Sequence, residues 1–332
     1  MNVSTGQPNL VQDDAVIAWL LESDPSIRWQ VLRDLTNAPA KEVAAERAKV
    51  ATTGWGAKLL AMQASNGRWG GAAWNHGWNS TMHVLMLLRD MGLEPKGEQA
   101  QHALKRVRSQ VTWRGCGPSE CDENAFFEGE LEPCINGQVA AAGAYFQQDM
   151  TGIVGRLLRE QLTDGGWNCD ETLTRSSFNT TICVLEALLA HEQASGNSLN
   201  VKDARLRGED YLLQRQLFKR LSTGEVIQSD RKGNTAFTDI AFPTWWHYDI
   251  LRALDYFYST GAAPDERLED AIQLLLSKRD EQGRWALELM HEGTMPIDFA
   301  EEVGQPSRWN TLRALRVLKW FDGQPKRDKA DV

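Results

Sequence analysis

The chain has 332 residues, of which 42% are hydrophobic and 24% charged, as in a globular protein with a sizeable core. Its formal net charge is -9 and its basic residues form no run, which excludes a nucleic-acid-binding surface. No apolar stretch approaches the roughly 18 residues of a membrane span, and the N-terminus lacks a signal-peptide pattern. We therefore expect a cytoplasmic protein without an integral membrane segment, with flexible tails at 1–12 and 324–332.

One helix pattern recurs along the chain: an aromatic residue, then hydroxyl or amide residues, then an aliphatic run. The polar residues are good helix caps, and the aliphatic run is typical of a buried helix. The pattern predicts inner helices near residues 25–36, 77–92, 133–147, 176–193, 243–260 and 305–321. More charged, amphipathic outer helices are predicted between them, near residues 13–22, 55–64, 97–112, 150–162, 200–217 and 264–279.

A turn motif, here called the repeat turn, occurs three times after leucine-rich helical segments. It reads Gln or Arg, three residues, Gly, one residue and Trp, at residues 63–69, 161–167 and 279–285. Gly supplies the left-handed backbone that ends a helix, and Trp packs its ring against the helix end. The motif therefore predicts that each turn locks one helix pair against the next.

A repeat of this kind decides for one domain over residues 1–332 rather than two. We predict an all-α fold, an (α/α)6 toroid in which six inner helices are surrounded by six outer helices. Strand-like alternation is nearly absent from the sequence, and residues 224–228 alone suggest a short extended segment.

The repeat turns resemble the QW motifs of squalene and oxidosqualene cyclases. The helix pairing resembles the prenyltransferase and squalene-oxidase repeat, which protein prenyltransferase β subunits share. The resemblance covers about residues 25 to 321 and implies a cavity at the N-terminal ends of the inner helices, where free N–H groups converge. Triterpene cyclases protonate their substrate with an Asp-x-Asp-Asp motif, which this sequence lacks, so we do not expect triterpene cyclisation.

The segment from Gly115 to Cys134 takes the place of a repeat turn and carries three cysteines and six acidic residues. Thiolates and imidazoles are zinc ligands. We therefore predict a zinc site formed by Cys116, Cys121, Cys134 and His76, with His247 as the alternative fourth ligand. Unligated thiols, packed as small hydrophobic side chains, are the other interpretation.

A second group of residues is suited to acid/base chemistry. His247 is expected at the cavity, where an imidazole can exchange a proton near neutral pH. Asp249 lies about 200° away around a helix, so Glu128 or Glu132 is needed to orient the ring. A carboxyl beside aromatic side chains can also act as a general acid. The predicted catalytic residues are Glu128, Glu132, His247 and Asp249, the alternatives being helix capping and a solvated acidic loop.

Aromatic and polar side chains at the predicted starts of the inner helices would line the cavity and bind a flat or apolar ligand. The predicted substrate-binding residues are Trp78, Asn136, Asn179, Trp246, Tyr248, Arg308 and Trp309.

Together these patterns predict a squalene cyclase-like enzyme that acts on a hydrophobic small molecule, terpenoid or aromatic, by acid/base chemistry in an aromatic-lined central cavity. They leave open whether zinc assists. One alternative is a non-catalytic toroid that binds an isoprenoid or a peptide. Another is a prenyltransferase β-like subunit, which requires an α partner. We otherwise expect a monomer or a homodimer.

Overall fold

The structure is a computed structural model that describes residues 14–116, 118–196, 198–228 and 237–323. The predicted tails lie outside the described residues. Regular structure within those ranges is helical, with short 3-10 turns and isolated bridges, one of which joins Lys219 to Val226 in the segment expected to be extended. The α-helices are α1 (Asp14–Leu21), α2 (Pro25–Asp34), α3 (Ala40–Ala48), α4 (Gly54–Ala61), α5 (Thr81–Asp90), α6 (Glu98–Gln110), α7 (Pro133–Tyr145), α8 (Thr151–Arg159), α9 (Phe178–Ser195), α10 (Leu199–Leu213), α11 (Ile250–Ser259), α12 (Glu269–Ser277) and α13 (Arg308–Gly323).

Helices α2, α5, α7, α9, α11 and α13 form a closed inner ring, which confirms the predicted toroid. The indole N–H of Trp29 in α2 donates to the carbonyl oxygen of Met91 at the end of α5. Helix α5 packs on α7, and α7 packs on α9. Arg252 of α11 forms an ion pair with Glu186 of α9 at 2.7 Å. Helix α13 packs on α11 and on α2, and so closes the ring.

The closest approach within the ring is between α7 and α9. A Cβ atom on Gly137 would lie 2.6 Å from the carbonyl oxygen of Cys183, so only glycine fits at this crossing. The neighbouring positions 140–142 and 144 of α7 are buried alanines. Small side chains therefore let α7 and α9 pack closely, and Gly137 brings the two helices together near their N-terminal ends.

Each repeat turn makes the same two tryptophan hydrogen bonds, which confirms the predicted locking role. The indole N–H donates to a carbonyl oxygen of the preceding outer helix, and a threonine hydroxyl of the following inner helix contacts the backbone N–H. The indole bonds are Trp69 to Leu59, Trp167 to Leu157 and Trp285 to Leu275, at 2.6, 2.7 and 2.7 Å. The threonines are Thr81, Thr181 and Thr311.

The glutamine of the first two turns joins neighbouring outer helices. The side-chain amide of Gln161 donates to Gly165 within the turn at 2.6 Å and to Ala204 of α10 at 2.8 Å. Gln63 makes the equivalent pair of bonds to its own turn and to α6. These bonds link each outer helix to the next.

Two features of the helices differ from the prediction. The inner helix expected near residues 243–260 begins only at Ile250, because Asp249 caps it by accepting the Arg252 backbone N–H at 2.7 Å. Helix α3 was not predicted. None of its residues is buried, so it lacks the apolar periodicity that reveals a helix in sequence.

Replacing Gln161 by Ala removes the two hydrogen bonds that its amide donates and the one that it accepts from Arg207, and leaves two carbonyl groups without this partner. We expect the free energy of unfolding to fall by about 1–3 kcal/mol, measured by urea unfolding followed by circular dichroism. Gln282→Ala changes an exposed glutamine in the third turn and should alter stability by less than about 0.5 kcal/mol. Equal effects of the two substitutions would contradict the linking role.

Candidate functional site

The connections that enter the five inner helices after α2 are long, whereas those that leave the inner helices are short; α2 itself is entered by the short connection 22–24. The entering connections with described residues span 62–80, 111–132, 160–177, 214–249 and 278–307. All of them end where an inner helix begins, so they gather at one end of the ring, here called the mouth. Loops held by a rigid scaffold are where binding and catalytic residues concentrate.

Glu132, Cys134 and Cys169 come together at the mouth and are here called the thiol cluster. One ligand atom of each lies within 4.8 Å of the others, and within the described residues no other such group of three forms. The Cys134 backbone N–H contacts the Cys169 sulfur at 3.3 Å, and the Thr180 hydroxyl contacts it at 3.4 Å. The hydrogen bond from the Cys134 thiol lowers the pKa of Cys169, which favours its thiolate.

The predicted zinc ligands are not brought together as a set, so that assignment is corrected. Cys121 ends a 3-10 turn and enters the core, where burial raises the pKa of its thiol. The sulfur of Cys116 lies 3.6 Å from the carbonyl oxygen of Arg114. His76 is exposed, and its ring packs edge-on against Trp74. Cys134 alone of the predicted set belongs to the thiol cluster.

Four of the six histidines, His76, His83, His247 and His291, contact tryptophans or one another at the mouth and form, with those tryptophans, the His–Trp cluster. The rings of His247 and His291 stack with their centroids 3.6 Å apart, and Trp246 stacks on His247 at 4.0 Å. Burial lowers the pKa of His247 to about 4 and that of His291 to about 3. Both rings are therefore neutral proton acceptors near pH 7.

Two tryptophans of this cluster adopt an uncommon backbone conformation. Trp78 and Trp245 have φ angles of 56° and 51°, in the left-handed region that bulky residues rarely enter. Their rings stack at 6.3 Å, and His83 lies 5.3 Å from each. The Trp78 indole also bonds to the backbone of Glu292. Such strain persists where the surroundings enforce it, often at functional sites.

The thiol cluster and the His–Trp cluster are parts of one site. The Asn179 side chain accepts the Tyr248 backbone N–H at 2.7 Å, and the Cys183 sulfur lies 3.6 Å from the carbonyl oxygen of Trp246. Asn179 directly precedes Thr180, whose hydroxyl contacts the thiol cluster. The first two turns of α9 therefore contact both groups, through Thr180 and Cys183.

Glu130 is a titratable residue of the mouth that the sequence analysis missed. Its residue is only 3% exposed, and burial raises its pKa to about 7. The carboxylate accepts the Glu132 backbone N–H at 2.5 Å. Asn136 bonds to both the backbone N–H and the carbonyl oxygen of Glu130. A carboxyl group with a pKa near neutrality suits proton transfer.

Two predicted catalytic acids have capping roles instead. The Glu128 carboxylate accepts the Ala125 backbone N–H at 2.8 Å and so caps its own 3-10 turn. Asp249 is buried, and its oxygens accept the backbone N–H groups of Arg252 and Ala241. Backbone donors therefore bind these carboxylates, whereas Glu132 and His247 lie in the two clusters.

The predicted substrate-binding residues also divide. Both amide atoms of Asn136 bond to the backbone of Glu130, and the buried Tyr248 donates its hydroxyl to Leu217. Trp309 is buried, and Arg308 lies over the ring of Trp19 in α1 at 4.7 Å. Asn136, Tyr248, Arg308 and Trp309 therefore have structural contacts within the protein. The members that remain at the mouth are Trp78, Asn179 and Trp246.

A cavity of ≈ 910 Å³, here called the axial cavity, lies inside the ring. Aromatic side chains are a minority of its lining residues. The central cavity therefore differs from the aromatic-lined cavity that the sequence predicted. Part of the lining consists of charged residues that form ion pairs with one another. They are Arg89, Asp90, Glu186, Arg252, Asp255, Arg313 and Arg316.

A smaller pocket of ≈ 240 Å³, here called the mouth pocket, is apolar. It shares the connection 278–307 with the His–Trp cluster, since Met290 lines it and His291 is the next residue in the chain. The carboxyl groups of Asp298 and Glu301 are its acidic members. The apolar lining consists of Phe242, Leu287, Met290, Met295, Ile297 and Phe299.

No family model and no curated protein matches this sequence. The ligand-free type II terpene cyclase MstE from Scytonema is 18% identical, with 93% of this chain and 98% of that chain covered and a TM-score of 0.45. A variant of MstE in complex with its substrate geranylgeranyl dihydroxybenzoate is 17% identical, with 93% of this chain and 97% of that chain covered and a TM-score of 0.45. A protein from Actinoplanes is 16% identical, with 90% of each chain covered and a TM-score of 0.43. At this level of similarity we draw no conclusion from these structures. The description of the inner ring rests on the contacts between its helices.

None of the helices within the described residues combines the length and the apolar character that crossing a bilayer requires.

The raised pKa of Glu130 predicts a pH effect on stability. As pH rises from 4.5 to about 7, the unfolded chain loses this proton while the folded chain retains it, so the contribution of Glu130 to stability falls over that window. Glu130→Gln keeps a neutral side chain. Its stability relative to wild type should therefore increase from about pH 5 to about pH 8 in urea unfolding. A constant difference over this range would contradict the assignment.

Proposed function

We propose that this chain is an enzyme that acts on a hydrophobic small molecule, terpenoid or aromatic, by acid/base chemistry at the mouth. The observation that carries the proposal is an apolar pocket on the loop that also carries His291, one of two stacked neutral imidazoles. Met290 lines the mouth pocket of ≈ 240 Å³, and His291 stacks on His247. Ligand sites are mostly apolar concavities with a few convergent polar groups.

His247 is suited to act as the base. Its Nδ1 atom lies 3.3 Å from the carbonyl oxygen of Thr244, which can only accept a hydrogen bond. This contact favours the tautomer with a proton on Nδ1 and leaves Nε2 as the proton acceptor. Burial lowers the pKa of His247 to about 4, so the ring is unprotonated at neutral pH and its Nε2 lone pair is available.

Glu301 is an acidic group in the wall of the mouth pocket. Burial raises its pKa, although the Ser307 hydroxyl and the Arg308 backbone N–H donate to its oxygens. The rings of Phe242 and Phe299 line the same pocket, and aromatic faces stabilise positive charge. The volume suits a small ligand or one end of a longer isoprenoid chain, since drug-sized ligands occupy about 300–1,000 Å³.

Replacing His247 by Ala removes the proposed base. We expect turnover to fall by about 10²- to 10⁴-fold, with the helical circular dichroism unchanged. The probes are squalene, geranylgeraniol and geranylgeranyl dihydroxybenzoate, and products are detected by liquid chromatography and mass spectrometry. His102→Ala, on the exposed face of α6, should keep wild-type turnover. Full activity of His247→Ala would refute its role.

Met295→Trp is designed to fill the mouth pocket, since Met295 is half-buried in its wall. We expect weaker probe binding, seen as a raised KM or as loss of retention in equilibrium dialysis. Met62→Trp, at a residue that is 52% exposed, adds the same ring elsewhere and should bind probes as wild type does. Unchanged binding by Met295→Trp would place the substrate outside this pocket.

The same assays separate the remaining alternatives. Retention of a probe without conversion would support a non-catalytic binding toroid. Co-purification of a second helical-repeat chain would support a prenyltransferase β-like subunit. A chain that neither retains nor converts any probe would contradict the proposed function.

A further inference from the structure

We propose that Glu132, Cys134 and Cys169 bind a zinc ion, with a fourth coordination position open at the mouth. The inference rests on the geometry and chemistry of the thiol cluster and does not depend on the proposed substrate. Two loops far apart in sequence supply the ligands. Cys134 lies in the first turn of α7, and Cys169 lies two residues after Trp167 of the second repeat turn.

The spacing of the three ligand atoms fits a tetrahedral metal site. They lie within 4.8 Å of one another, whereas Zn–S bonds of about 2.3 Å and Zn–O bonds of about 2.0–2.2 Å place tetrahedral ligands about 3.5–3.8 Å apart. The contraction required is about 1.3 Å at most. The Cys134 sulfur and a Glu132 carboxylate oxygen already lie 3.7 Å apart, and the exposed Glu132 side chain can rotate to adjust its distance to an ion.

The type of ligand selects the metal. Two sulfurs and one carboxylate suit borderline-soft Zn²⁺, whereas Ca²⁺ and Mg²⁺ require oxygen ligands. The Cys134 backbone N–H and the Thr180 hydroxyl already contact the Cys169 sulfur. Such hydrogen bonds orient a thiolate ligand and stabilise its charge. Zinc would replace the protons of the two thiols, which are released on binding.

The cluster is accessible and bounded. Cys134 is 8% exposed, Cys169 is half-buried and Glu132 is exposed, so an ion can enter from the mouth. Cys183 stays outside the set, because the side chains of Gln138 and Arg252 contact its sulfur at 3.6 Å. Three protein ligands with one open position are typical of catalytic zinc sites, whereas structural sites carry four protein ligands.

Elemental mass spectrometry on the full chain, purified with a reductant, tests the site directly. We expect about one zinc per chain, and loss of that zinc in Cys134→Ser and in Cys169→Ser. Cys116→Ser is the matched control, since Cys116 lies in the segment from Gly115 to Cys134 but outside the thiol cluster. This variant should bind zinc as wild type does. Glu132→Gln should weaken zinc binding at least about 10-fold, whereas Glu120→Gln should not.

Cobalt titration of the chelator-treated, fully reduced chain provides a second readout. Bound Co²⁺ should give a thiolate-to-cobalt charge-transfer band in wild type and in Cys116→Ser, and no band in Cys169→Ser. If Cys134→Ser fails to fold by circular dichroism, Cys169→Ser and Glu132→Gln decide the question. A wild-type chain that binds neither ion, or a band that survives Cys169→Ser, overturns the proposal. Neither result affects the His247→Ala test, which measures turnover.

Discussion

The hydrogen bond from the repeat-turn indole to the preceding outer helix anchors the connections that form the mouth. Trp167 bonds through its ring to Leu157 of α8, while its backbone N–H contacts Thr181 of α9. The chain that follows is thus held at its first residue between two helices, and Cys169 is placed beside the start of α9. Trp285 begins the loop that carries His291 in the same way. Rigid elements therefore position side chains that lie on loops.

Charged residues inside the ring form hydrogen bonds to the segment of the mouth that carries His247. Arg252 is 4% exposed and bonds to Glu186 of α9. Its guanidinium also donates to the carbonyl oxygens of Trp245 and His247. One arginine thus connects an inner helix to the segment that carries the stacked imidazole. Removing one partner of a buried ion pair leaves an uncompensated charge, so the ion pairs along the axial cavity have a structural role in holding the segment that carries His247.

Local signals made the ring predictable. Capping residues, aliphatic periodicity and the Gly-x-Trp spacing act within one helix and its turn, so all six inner helices could be read from sequence. The exception near residues 243–249 arises because Trp245 adopts a left-handed backbone, which no helix pattern reveals. Glu132, Trp246 and His247 were found because they precede inner helices. Cys169 and His291 were missed because their partners lie on other segments of the chain, and Glu130 was missed because nothing in an acidic loop sequence reveals that this one carboxyl is buried.

The misassigned cysteines show why the site itself was harder to predict. Cys116 and Cys121 are close to Cys134 along the chain, but a 3-10 turn directs Cys121 into the core. Cys169 is 35 residues from Cys134, yet the two are neighbours because α7 and α9 nearly touch. Gly137 lies one turn below Cys134 and faces the backbone of Cys183, one turn below Thr180. The separation of the two thiols is therefore governed by a residue without a side chain, whose importance only the packed structure reveals.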